Sequence, residues 1–477
     1  MYDRMHTLSE SELELIHKNS MEILEKTGVS FMNQEALEIF KANGFRVEGE
    51  TVYFTDADIR KAVKDAPSRF VIEGRNPEKS VAVGEDDWVF LPTYGAPYLC
   101  EKDGSQRPGT IDDYETICKL VQTSQHIDMN AFKLVEPTDV TTETAYLDML
   151  QRNMLMCDKP FMGSTDTIEA CKDTMEMAAL LFGGKEALKE KTVCLGLVNV
   201  LSPLKYAEEM AGAIIEYAQN GQAIAVINMI MGGTSGPVSV PGLVTLMNAE
   251  ILAGVVLAQL VKPGTPVVYG TTSCPTNMQS GAATIGAPET YIINAWTTQL
   301  ARYYTLPCRT GGGITDSLIP DAQAMAEGAL CLSTTVRCGA NFILHACGQI
   351  GTYIGCNMEK WIMDEEMCGM VRSMMRKVPV SDETIGVDAI QRVGIGGNYL
   401  TDPATLKNCR TAFYKNAFYN KSDISGWKRA GGMSLADAAT VELKRRVESY
   451  EKPAIDPDIE KALIAFVEDR KVIVKAA

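Results

Sequence analysis

Histidine is scarce in this chain of 477 residues: there are four, His6, His17, His126 and His345, and they stand far apart. No H-E-x-x-H pair and no paired cysteine spacing of the zinc type occurs, so no protein-held transition metal is expected. The thirteen cysteines are odd in number and scattered mostly through apolar segments, which fits reduced, buried thiols and not a disulfide framework. Missing too are G-x-x-x-x-G-K-[ST], a G-x-G-x-x-G with its acidic partner, and G-x-S-x-G. Nucleotide cradles and elbow-type serine hydrolysis therefore lose their signatures. No run reaches the roughly 20 uncharged apolar residues that cross a bilayer, and the start MYDRMHTLSESELELI has no basic segment leading into an apolar one. Neither a membrane span nor a secretory signal is expected, and the expected location is the cytoplasm. Positive charge is also in deficit: 45 Lys and Arg against 61 Asp and Glu leave a net charge of -16. That balance opposes attraction to nucleic acid or anionic membrane and favours a small molecule or a protein partner.

What is present is ample apolar material, 46% of the chain, enough for one large core or two domains. SESELELIHKNSMEILEKTG carries Leu13, Ile16, Met21 and Leu24 at helical spacing, opened by a Ser9-x-x-Glu12 capping box and closed by Gly28. The stretch to Gly109 mixes such helices with short alternating pieces and reads as an α+β cap over 1–109. After His126 short apolar runs alternate with helical patterns. Eight runs qualify as strands: 127–135, 160–165, 192–202, 223–232, 265–273, 306–313, 341–351 and 392–400. Helices are expected between them, including 205–219, 243–262, 321–338 and 359–375. Eight near-continuous apolar strands with intervening helices are the layout of a (β/α)8 TIM-type barrel, placed at 110–410, with C-terminal helices over 411–477. A doubly wound open sheet shares the same alternation and is the alternative. Met129, Met162, Met229 and Met231 fall within strands, where methionine ordinarily fills core space.

In a barrel, chemistry gathers at the carboxyl ends of the strands. Polar residues crowd there: Asn199, Asn228, Tyr269, Arg309 with Gly311-Gly312-Gly313 and Asp316, and His345 with Gln349 and Tyr353. Asn and Ser also cap helices, and glycines close turns, so each has a structural reading as well. Arg309 either grips an anion or pairs with Asp316 or Asp321. The glycines at 394–397, at the end of the expected eighth strand, suit a phosphate, and Lys133 is the one evident strand lysine.

Three segments, LPCRTGGGITDSLIPDAQAMAEGAL, GANFILHACGQIG and WIMDEEMCGMVR, together with LELIHKNSMEILEKTGV, YGAPYL and TIDDYE, resemble the trimethylamine methyltransferase superfamily over nearly the whole chain. The resemblance implies a (β/α)8 barrel that moves a methyl group from an amine to the cobalt of a corrinoid protein. The corrinoid would be supplied by that partner protein, with no cofactor held by the chain itself. Trimethylamine-using members carry pyrrolysine near the end of the seventh barrel strand. Here that stretch, HACGQIGTY, holds ordinary residues. The sequence thus looks like a non-pyrrolysine member, similar to enzymes of glycine betaine, proline betaine, carnitine or butyrobetaine. A second departure is Asn408-Cys409, where a His-Thr pair is expected in the eighth loop.

A quaternary nitrogen leaves as a neutral tertiary amine, so no proton and no protein nucleophile is needed, only orientation in a dry pocket. Aromatic faces bind such a cation by roughly 0.5–2 kcal/mol without trapping it. Tyr94, Tyr98, Phe132, Tyr269, Tyr353 and Tyr399 are the candidates. Arg309 and the backbone of Gly312 are candidates for the carboxylate. Asn199, Asn228 and Asp316 complete the expected substrate set, and His345 and Gln349 are the candidates nearest the chemistry. A homo-oligomer is expected, with contacts from the C-terminal helices. Two other classes stay open: a phosphate-handling barrel lyase or isomerase, and a non-catalytic betaine-binding protein.

Overall fold

The computed structural model describes residues 4–476. The chain opens with helix α1 (Glu10–Lys26), whose Ser9 and Glu12 form the expected reciprocal capping box. Ser20 and His17 tie α1 to the side of the barrel: Ser20 Oγ donates to the Thr245 carbonyl at 2.9 Å, and His17 bonds Tyr304 at 2.9 Å. With small sheets around 29–53 and 69–84, this N-terminal unit packs beside the barrel.

The barrel is built from β1 (Val89–Pro92), β2 (128–130), β3 (Phe161–Met162), β4 (Cys194–Val200), β5 (Ala223–Asn228), β6 (Val267–Thr271), β7 (Cys308–Arg309) and β8 (Phe342–Cys347). Strands β3 to β8 are parallel neighbours in sequence order, and β8 pairs in parallel with β1. The gap closes through β2. Asp128 N donates to the Phe90 carbonyl at 3.0 Å, Asn130 N to Pro160 at 2.8 Å, and Met162 N to Asn130 at 3.0 Å. The eight strands thus complete a ring, and the (β/α)8 architecture expected from the alternation is present.

Two strand expectations need correction. Val89–Pro92, placed in the cap by the reading of 1–109, is the first barrel strand, since Val89 and Phe90 register with Phe342 and Ile343. The stretch 392–400, placed as the eighth strand within 110–410, pairs with no strand; it is short helix and turn, exposed except for the half-buried Val393. The barrel's last strand is therefore β8, one position earlier in the chain.

Around the ring run α2 (Ile111–Thr123), α3 (Val240–Val261), α4 (Ala322–Cys338) and α5 (Met358–Met374), among others. By length and composition α3 is apolar enough to cross a membrane, yet most of it is enclosed between the barrel and the N-terminal unit. Its Glu250 lies inside, accepting from Ser202 Oγ, Leu204 N and Asn228 Nδ2 at 2.7–2.8 Å. The expected C-terminal helices are α6 (Leu435–Glu448) and α7 (Pro457–Ala476). Their charges are partly turned inward: Arg446 pairs with Glu365 at 2.6 Å, Arg470 with Asp173 at 2.7 Å and Lys471 with Asp148 at 2.7 Å. Over one side of the strand ends sits a four-stranded sheet formed by 98–100, 106–108, 349–350 and 355–356.

Candidate active site

Side-chain direction along the strands decides which residues face the barrel axis. Asn228 bonds Glu250 of α3 at 2.7 Å, and the Tyr269 hydroxyl donates to Asn248 of α3 at 2.8 Å, so both point outward. Alternation then turns their neighbours Ile227 and Gly270 inward. The register places Asn199, Ile227, Gly270 and Arg309 in one row on that inner face. Asn199 is exposed within an otherwise buried strand, so solvent reaches this row from the carboxyl ends. Those ends form the barrel mouth.

Arg309 dominates the row. Its side chain lies over Gly270, where a Cβ would meet the Arg309 side chain at 2.7 Å; only glycine leaves room. Nη1 donates to the Thr271 carbonyl at 2.6 Å, and Nη2 donates to His345 Nδ1 at 2.9 Å. Nε has no partner, and Arg309 takes part in no ion pair among the described residues although it is completely buried. Burial lowers its pKa, but a guanidinium remains charged. An enclosed cation without a counter-ion costs several kcal/mol unless an anion arrives. Pairing with Asp316 or Asp321 does not occur. Asp316 accepts from Ile285 N, Gly286 N and Thr352 Oγ1 at 2.8–3.0 Å, clamping two loops, and Asp321 caps α4 through Ala324 N.

His345 sits where the pairing of β8 with β1 shifts register, with φ of +62°. Such bulges re-aim a side chain, and backbone in this region is retained mainly at functional sites. Burial first, and the Arg309 charge second, hold its pKa well below 6.5. The ring is neutral: Nδ1 accepts from Arg309, and Nε2–H donates to the Tyr94 carbonyl at 3.1 Å. Its centroid lies 6.4 Å from the Tyr94 ring and 4.9 Å from Tyr353. Both tyrosines are half-buried, and burial raises both phenol pKa values, so the hydroxyls are neutral. The structure thus brings together Arg309, His345, Tyr94 and Tyr353, with Asn199 farther along the same inner row. Near them Lys133 pairs with Asp166 at 2.8 Å.

The structure does not gather the other expected site residues with this group. Asn228 and Tyr269 face α3. Phe132 is enclosed in the apolar core. Tyr98 lies on the small sheet, paired with Gly355 and Pro108, and Tyr399 is exposed far along the chain in 392–400. Gln349 spends its amide on the loops, accepting from Thr93 Oγ1 at 2.8 Å and donating to the Gly355 carbonyl at 3.3 Å. At Gly312, with φ of +140°, a Cβ would stand 2.6 Å from the carbonyl oxygens of both Leu344 and His345. The glycine lets the turn lie against β8, and the adjacent Gly313 N donates to the His345 carbonyl at 2.8 Å.

Sequence reasoning missed the group that fastens this turn. Lys360 and Asp364, one helical turn apart on α5, form a completely buried pair at 2.6 Å. Lys360 Nζ also donates to the Gly313 carbonyl at 2.6 Å, and Asp364 accepts from Gly348 N at 2.9 Å. One pair therefore holds the loops after β7 and β8, which carry Arg309 and His345. Burial pushes the Asp364 carboxyl up to about 6. The neighbouring acids face other ways: Glu365 meets Arg446, and Glu366 accepts from Tyr414, Asn416 and Ala417 at 2.8–3.0 Å. Only the run of three acids inside WIMDEEMCGMVR signalled these anchors. No cluster of ligands fit for a metal occurs among the described residues.

The chain resembles known proteins over nearly its whole length. The glycine betaine methyltransferase of Desulfitobacterium hafniense is 40% identical, with 98% of this chain and 97% of the relative covered. The proline betaine:corrinoid methyltransferase of Eubacterium limosum is 32% identical over 95% and 94%. A trimethylamine methyltransferase of Desulfitobacterium hafniense is 31% identical over 97% and 93%. Among solved structures, the Methanosarcina barkeri monomethylamine methyltransferase superposes with a TM-score of 0.54 at 13% identity, covering 93% of this chain and 89% of that one, a likeness of fold. The family model for trimethylamine methyltransferase matches residues 1–474, and with these relatives it establishes that the chain belongs to the trimethylamine methyltransferase (MTTB) family.

Proposed function

We propose that this protein transfers a methyl group from a carboxylated quaternary amine, glycine betaine or a close analogue, to a corrinoid carried by a partner protein. The observation that carries the reading is Arg309, buried on the inner face of the barrel with no carboxylate of its own and an unpartnered Nε. The substrate carboxylate is the anion that completes it. The aromatic group of Tyr94, Tyr353 and neutral His345 stands beside it, suited to an ammonium that carries no hydrogen to donate.

The corrinoid supplies a cobalt(I) nucleophile. The residues of this chain bind and orient. Arg309 fixes the carboxylate end, so the methyl groups point towards the mouth. Neutral His345 and the protonated tyrosines add no charge that would hold the substrate cation in its ground state. The C–N bond breaks with its electron pair on nitrogen, the product amine is neutral, and no proton moves. Near-attack geometry is therefore the main contribution of the site. The names of the betaine methyltransferase relatives support the same chemistry.

The phosphate-handling alternative loses its supports: the glycines at 394–397 lie outside the barrel, and Lys133 is already paired with Asp166. The test is to mix the protein with a reduced corrinoid protein and a panel of quaternary amines and to follow the cobalt(I) absorption. Loss of the signal with glycine betaine, but not with dimethylglycine, supports the reading. Unchanged absorption across the whole panel rejects it in favour of a binding protein.

A further inference from the structure

After β8 the chain passes through three successive residues of left-handed backbone, Gly351 at φ +59°, Thr352 at +55° and Tyr353 at +68°. Glycine takes this conformation freely. For a β-branched threonine or a bulky tyrosine it is an outlier, and it persists only where surrounding bonds over-determine it. Here the bonds come from consecutive residues of the loop after β7. Gly351 N donates to the Ser317 carbonyl at 2.8 Å, Thr352 N to the Thr315 carbonyl at 3.1 Å, and Thr352 Oγ1 to Asp316 Oδ1 at 2.8 Å. Asp316 is held in turn from two sides: its backbone N donates to Glu327 of α4 at 2.8 Å, and its carboxylate accepts from Ile285 N and Gly286 N in the loop after β6 at 2.9 and 3.0 Å. One carboxylate therefore joins the loops after β6, β7 and β8.

The last of these loops carries Tyr353. Its ring stands between His345, 4.9 Å away, and a small apolar cluster of Cys274, Ile285, Ile314 and Cys331 supplied by the other two loops and α4. The aim of the ring follows from the backbone beneath it: with Thr352 released to an ordinary φ, the Cα–Cβ direction of Tyr353 swings off His345. We propose that Asp316, acting through Thr352, is a positioning residue that holds Tyr353 against His345 as the aromatic wall for the substrate ammonium; this deepens the proposed function and rests on it. The Asp316 carboxylate is already engaged by three donors, so it works through the loop and not on the substrate. The clamp serves the cationic end alone. The carboxylate end belongs to Arg309, whose bonds run to Thr271 and His345 and not to Asp316. Strain held in this way sets the wall before the ligand arrives.

Tetramethylammonium and acetate carry the two charged ends of glycine betaine separately, and ligand-observed NMR reads the binding of each to the full-length protein without a corrinoid partner. Thr352→Val keeps the β-branched shape and loses only the hydroxyl. It is expected to weaken tetramethylammonium roughly 3- to 30-fold, the loss of one cation–π wall, and to leave acetate binding as in wild type. Thr352→Asn offers Asp316 an amide N–H from a residue that tolerates left-handed backbone, and is expected to recover most of the loss. Arg309→Gln is expected to show the reverse pattern, with acetate weakened and tetramethylammonium not. A Val variant that binds tetramethylammonium as tightly as wild type, that loses both ligands alike, or that does not fold overturns the proposal, and so does an Asn variant that fails as Val does. Wild type that binds glycine betaine but not tetramethylammonium overturns this inference alone; wild type that binds neither overturns the proposed function as well.

Discussion

Arg309 Nη2 donates to His345 Nδ1 across 2.9 Å, in a place where the buried guanidinium has no carboxylate to share. The relationship has two consequences. It fixes the imidazole as the neutral Nε2–H tautomer, and it leaves the positive charge of Arg309 available to a ligand. Both follow from β7 and β8 being neighbours whose loops are fastened to the same pair on α5.

Replacing Arg309 by Met separates binding from folding. Removing an uncompensated buried charge is expected to raise the stability of the unliganded protein by about 1–4 kcal/mol. Loss of a charge-assisted contact of about 1.5–3 kcal/mol is expected to weaken glycine betaine binding roughly ten- to hundredfold. Thermal melting and calorimetric titration check the two halves, and a destabilised variant contradicts the account.

The histidine term has a definite sign. The folded pKa of His345 lies below the unfolded value of about 6.5, so below that pH the unfolded chain binds the extra proton. Its contribution is fully present above 6.5 and is lost as pH falls, by at most about 1.4 kcal/mol per unit. His17 and His126 are lowered in the same sense. Denaturant melts of His345→Asn between pH 5 and 7 are expected to show a shallower slope than wild type. An unchanged slope means that His345 takes up its proton in the folded state.

Lys360→Met leaves Asp364 enclosed without its partner and is expected to cost about 3–5 kcal/mol. The double variant Lys360→Met, Asp364→Leu is expected to recover most of that loss while still displacing the turn and lowering methyl transfer. Because the folded pKa of Asp364 is raised to about 6 from 3.8, its term is present below pH 3.8 and is lost as pH rises through 6, opposite in sign to the histidines. Chemical denaturation of the single and double variants measures the coupling.

Gly312→Ala is expected to destabilise by at least about 2 kcal/mol, because the methyl meets two carbonyl oxygens and the backbone region is strained for any other residue. A normally stable Ala variant, by thermal melting, would show that the turn stands off β8.

Helix caps and the alternation of strand and helix are local properties, and the sequence displays them directly; Ser9 and Glu12 close their box as the spacing requires. Facing is a different matter. Barrel strands are apolar on both sides, so nothing in the sequence tells that Asn228 and Tyr269 point at α3 while Arg309 points at the axis. VFLP at 89–92 was hidden by Pro92 and Gly95, which read as punctuation, and RVGIGGNYL resembled a strand but found no neighbour to pair with. The glycine triplet was visible, but its partner, the backbone of β8, is about 30 residues away. Lys360 and Asp364 look like an ordinary exposed helical pair until the fold encloses them.

The most direct test of the central claim is the ratio of kcat/KM for glycine betaine to that for choline, measured by cobalt(I) consumption with wild type and Arg309→Gln. The two substrates share the trimethylammonium group and differ in the carboxylate. The account predicts a strong preference for glycine betaine in the wild type and its collapse in the variant, chiefly through loss on glycine betaine. Equal use of both substrates by the wild type, or a preference that survives the substitution, would contradict it.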